Sequence, residues 1–78
     1  MSQISYANWD GTQVVIKRTN GGTSNCKTHN FTAGGYEVVM CKIVSDDVHV
    51  LVKLKSHSKP TKYHIVNASG IYKGSKGM

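Results

Sequence analysis

Apolar residues in this chain recur at every second position, in short runs separated by turn-forming residues, and no helix-length window carries an apolar repeat at helical spacing. Successive side chains of a strand point to opposite faces, so this pattern places one face of each run in a core and leaves the other to water. A helix would scatter the same residues around its whole surface. The chain is therefore expected to be all-β: a small antiparallel barrel or a two-sheet sandwich of about five to seven short strands.

The punctuation sets the expected strands. A run over residues 4–9 ends at Asp10-Gly11, a hairpin signal, because the central residues of such a turn need left-handed backbone. Residues 12–19 follow, then a polar loop over 20–25, a short strand near 26–32, and a break at Ala33-Gly34-Gly35. The next strands are expected at 36–44, 48–55 and 61–67, separated by Ser45-Asp46-Asp47 and by a Ser/Lys/Pro loop. A last short strand is expected at 71–73, before a Gly/Lys-rich tail over about 74–78.

With 78 residues, one domain over 1–78 is expected, and a domain of this size hides only about 60% of its unfolded surface. Apolar residues at 38% and charged residues at 18% are the balance of a folded chain rather than a disordered one. No apolar stretch approaches the roughly 18 residues of a spanning helix. The first residues lack the basic and apolar regions of a secretory signal, which fits a cytosolic product and an already processed secreted one equally.

Register follows from keeping one face apolar. Placing Val44 opposite Val48 and Lys55 opposite Lys62 puts Val38, Met40, Val44, Val48, Val50, Val52, Leu54, Tyr63 and Ile65 on a core face, with Tyr36 at its open end and Lys42 as its one interruption. Val39, Cys41, Ile43, Leu51 and Val66 then need cover from the remaining strands. Lys53, Lys55, Lys62 and His64 gather outside, with Glu37 opposite Lys55.

That cluster is the chemical lead. Residues 1–50 carry Lys17, Arg18, Lys27 and Lys42 against Asp10, Glu37, Asp46 and Asp47, whereas residues 51–78 carry six lysines and no acid. The net charge of +6 thus belongs to the C-terminal part. Like charges held side by side repel, and a polyanion relieves the repulsion. The expected function is a non-enzymatic binding module that engages a polyanion, RNA or DNA first, through Lys53, Lys55, Lys59, Lys62, His64 and Lys73. Because nine of the ten basic residues are lysine, bidentate readout of bases is not expected.

Two readings from other classes stand beside it. The first is a small secreted β-protein, an effector, toxin or antimicrobial acting on a host protein or an anionic membrane. Its staple would be a Cys26–Cys41 disulfide worth about 3 kcal/mol in the chain-entropy view, and Asn30-Phe31-Thr32 and Asn67-Ala68-Ser69 match the glycosylation pattern. The second is a metal-independent ribonuclease with His64 and Glu37 as acid and base. Cys26 and His29 have a ligand-like spacing, but nothing completes a tetrahedral set, so neither a metal nor another cofactor is expected.

In size, strand number and charge the chain resembles small oligonucleotide-binding barrels. No residue motif of such a family accompanies the likeness, the cold-shock aromatic signature included, so it is one of architecture and does not transmit function.

Overall fold

In the computed structural model, which describes residues 3–78, the chain forms seven antiparallel strands and no α-helix among the described residues. Strands β1 (Ile4–Trp9), β2 (Val14–Arg18) and β3 (Thr23–Cys26) make one sheet in that order. Strands β4 (Tyr36–Val44), β5 (Asp47–Leu54), β6 (Lys62–Asn67) and β7 (Tyr72–Gly77) make a second meander. The all-β expectation holds, and its two-sheet form is the one realised: the sheets are separate ladders, not a closed barrel.

Side-chain alternation builds the inner faces. Val14 and Ile16 from β2, Val48, Val50 and Val52 from β5, and Val66 from β6 are completely buried. Burying each such side chain contributes about 1.5–3 kcal/mol, and β-branched residues pack well on a pleated surface. Between the sheets sits Phe31, carried by a 3-10 turn (His29–Phe31) whose entry is capped by the Thr28 hydroxyl accepting from Asn30 N–H at 3.2 Å. The buried Phe31 ring meets Trp9 of β1, His64 of β6 and Tyr72 of β7 edge-on, at centroid distances of 5.7, 5.4 and 6.2 Å. One ring from the connection thereby ties the three-stranded sheet to the four-stranded one.

Two further features hold the sheets together. The β1 backbone runs close to β4, and Gln3 N–H donates to the Asp46 carboxylate at 3.0 Å. At the other side the β6–β7 turn presses on β3. Gly70 has φ of +81°, and a Cβ there would lie 2.5 Å from the Asn25 carbonyl oxygen, so only glycine fits both the backbone and the space.

Local irregularities decide what faces inward. A bulge at Ser5 lets Ile4 and Ala7 share the inner side, where Trp9 follows, and turns Tyr6 outward, 47% exposed, with Lys17 Nζ 5.6 Å from its ring centroid. Tyr6 and Trp9 differ in parity along the strand, and it is Trp9 that packs against the core. A bulge at Val39 likewise keeps Val38 and Cys41 both inward, opposite Val52 and Val50.

Several expected boundaries and pairings are corrected. The third strand lies at Thr23–Cys26 rather than near 26–32, because Arg18 N–H closes onto the Gly22 carbonyl and brings Thr23 straight into the ladder. Residues 74–77, expected as tail, continue β7 against β6. The turn after β4 uses two residues, with Ser45 in left-handed backbone (φ 54°), so Val44 pairs with Asp47 and Ile43 with Val48. The β5–β6 connection is longer than expected, and Val52, not Lys55, pairs with Lys62. That shift is an odd number of residues. It exchanges the two faces of β6, so Tyr63 and Ile65 lie outside while Lys62 and His64 turn inward.

Candidate polyanion-binding face

The cluster of Lys53, Lys55, Lys62 and His64 expected on one outer face is divided by this register. Lys53 is outside, where Nζ pairs with Glu37 Oε1 at 2.7 Å and donates to the His57 carbonyl at 2.9 Å. Lys62 is on the inner side, with Nζ 4.2 Å from the centroid of the Tyr36 ring, a cation–π contact at the open end of the core. His64 is only 2% exposed. Its Nδ1 shares a 2.9 Å hydrogen bond with the Tyr72 hydroxyl, while Nε2 is buried without a partner. Burial first, and the Lys62 charge second, push its pKa below the ordinary value. His64 is thus a neutral core residue and not a surface ligand.

The remaining expected residues lie apart. Lys55 and Lys59 are exposed at and beyond the end of β5, where Lys55 N–H donates to the Gly35 carbonyl. Lys73 pairs with Asp47 at 3.5 Å. The acid and base suggested for ribonuclease chemistry do not meet: Glu37 is on the outer face of β4, held ionised by its hydrogen bond to Lys53 and by that charge, whereas His64 is enclosed on the inner face of β6. Both cysteines are free thiols. Burial raises the pKa of each, Cys41 to about 11, so they behave as small apolar residues. Asn67, the second candidate glycan acceptor, has its side-chain oxygen taken up by the Ser69 and Ile71 N–H groups.

What the structure assembles instead is a row-and-column surface on the outside of the four-stranded sheet. One cross-strand row runs Met40, Leu51, Tyr63, Lys76, and the next runs Lys42, His49, Ile65, Gly74. His49 and Tyr63 sit diagonally across β5 and β6 and stack, with ring centroids 4.5 Å apart and planes within 11°. Met40 is 50% exposed beside them. The carboxylates of this sheet, Glu37 and Asp47, lie near opposite ends of the face and are each paired with a lysine. Among the described residues no carboxylate pairs with Lys42 or Lys76, which stand exposed on the two outermost strands of the sheet, three strand spacings across and one row along, roughly 16 Å apart.

Sequence reasoning missed this surface because Lys42 read as an interruption of the core and Tyr63 as part of it. The signal that would have found it is the placement of Lys42 and His49, polar residues whose parity agrees only when the turn has two residues. No family model, no curated protein and no solved structure matches the chain.

Proposed function

We propose that this protein is a non-enzymatic polyanion-binding module whose ligand is single-stranded nucleic acid lying across the outer face of the β4–β5–β6–β7 sheet. The observation that carries the reading is the stacked His49–Tyr63 pair, set among half-buried Leu51 and Ile65 and exposed Met40 and flanked by Lys42 and Lys76. Unstacked bases find a flat π-surface on such rings in any sequence, and lysines meet the backbone phosphates as point charges. A duplex keeps its bases stacked inside and offers nothing for the rings to cover, so a single strand is preferred.

Fluorescence anisotropy with a labelled oligopyrimidine tests this. Phosphate contact by three lysines, Lys42, Lys76 and one of the Lys53–Lys59 group, lowers affinity about 20-fold between roughly 50 and 200 mM salt, at about 0.7 counterions released per contact. The double variant Lys42→Glu/Lys76→Glu should lose measurable binding while retaining the wild-type circular dichroism spectrum. Duplex bound as tightly as single strand, or affinity indifferent to salt and to that variant, overturns the proposal.

A further inference from the structure

A concavity lies at the other sheet. The β1–β2 turn and the segment leaving β3 enclose a cleft of about 460 Å³ lined by Trp9, Gly11, Thr12, Lys27, Thr28, His29 and Thr32. This lies within the roughly 300–1,000 Å³ of ordinary small-ligand sites, and none of its residues belongs to the outer face described above.

The lining is chemically one-sided. The Thr28 and Thr32 hydroxyls and the His29 imidazole can donate and accept hydrogen bonds, the Thr12 hydroxyl, whose proton goes to Asp10, can accept, Lys27 adds a cation, and Trp9 supplies an apolar ring. Among the described residues no carboxylate lines the cleft. The neighbouring acid, Asp10, is occupied by its own turn: Oδ1 accepts from Thr12 N–H, the Thr12 hydroxyl and Gln13 N–H, and Oδ2 from Gln13 Nε2. These bonds hold its pKa low, so it stays ionised and turned to the turn rather than to a ligand. Gly11 has φ of +106° with open space where a Cβ would be, which keeps the mouth clear. Phe31 fixes Trp9 from behind through the edge contact, so the platform is already ordered.

We infer that this cleft binds a pyranose sugar carrying a carboxylate or sulfate, its C–H face on Trp9, its hydroxyls on the threonines and its anionic group at Lys27. A nucleobase is the poorer fit, because the lining sets three threonine hydroxyls against a single indole, a pattern that suits a polyol better than a flat base. A neutral sugar leaves Lys27 without a partner.

Trp9 is the only tryptophan in the chain, so its indole N–H resonance in a nitrogen-15 correlation spectrum reports the cleft directly. Titration with glucuronate or glucose 6-sulfate should move that resonance saturably, with glucose at least about tenfold weaker, the worth of one charge-assisted hydrogen bond. Lys27→Gln should abolish the preference for the charged sugars and leave both glucose binding and oligonucleotide affinity unchanged. Lys27 is exposed, so this variant folds. The inference is overturned if no sugar saturates the signal, if inorganic sulfate alone reproduces the response, if adenosine monophosphate binds more tightly than every sugar, or if Lys27→Gln keeps the preference.

Discussion

The four-stranded sheet carries a histidine–tyrosine pair on each of its faces, and the two pairs have opposite fates. Inside, His64 bonds Tyr72 against the Phe31 ring and is sealed from water. Outside, His49 stacks on Tyr63 at a half-buried surface. Residue type is the same in both. What separates a core contact from an available one is which side of the pleat the residue occupies, and that depends on pairing register.

The contrast can be broken most severely at the core. Phe31→Ala removes the ring that joins the sheets and should cost about 3–5 kcal/mol in urea denaturation, enough to leave a domain of this size largely unfolded, whereas Met40→Ala on the outer face should stay within about 0.5 kcal/mol. Similar losses for both would mean that the outer face is covered. Next in size, Tyr63→Ala should weaken oligonucleotide binding by about 1–3 kcal/mol, the worth of one stacked base, with little change in the urea midpoint. A large fall in stability with unchanged binding would place Tyr63 in the core after all.

A smaller effect sharpens the inner pair. The folded state holds the His64 pKa below its ordinary 6.5, so the unfolded chain binds more protons in the window between the two values. Stability contributed by neutral His64 is therefore present above about pH 6.5 and is lost as pH falls through that window toward the lower folded value. His64→Gln should flatten this slope of urea midpoint against pH between about pH 8 and pH 5. The slope is the readout, since the midpoint itself also reflects packing. An unchanged slope would assign the acid sensitivity to other groups.

The smallest change concerns Glu37, which is exposed and paired with Lys53. Glu37→Gln should leave the urea midpoint almost unmoved and strengthen oligonucleotide binding slightly, most visibly at low salt, by freeing Lys53. Weaker binding in this variant would show that the ion pair positions Lys53 instead of competing for it.

Much of this was legible in the chain itself. Strand β4 at Tyr36–Val44 matches its expected bounds, and β5 and β6 match theirs to within a residue, because alternation and turn residues are local signals. The burial of Val48, Val50 and Val52 was legible for the same reason. The site was not. Both Tyr63 inward and Tyr63 outward satisfy the alternation of β6, since Ile65 follows one parity and Val66 the other, and the sequence offers no local penalty for choosing wrongly. Loop length made the choice: the long connection before β6 carries Lys53 onto the His57 carbonyl and lets Val52 meet Lys62.

Composition and periodicity alone determined that this chain is a small basic β-protein with strands in these places, because side-chain direction along a strand depends only on neighbours in sequence. Which lysines share a surface, which histidine is sealed, and where the cleft beside Trp9 opens were decided by the tertiary structure. Among the described residues those outcomes rest on a two-residue turn, three bulges and one long loop, each of which changes pairing by whole residues and so exchanges faces that the alternating pattern leaves equivalent.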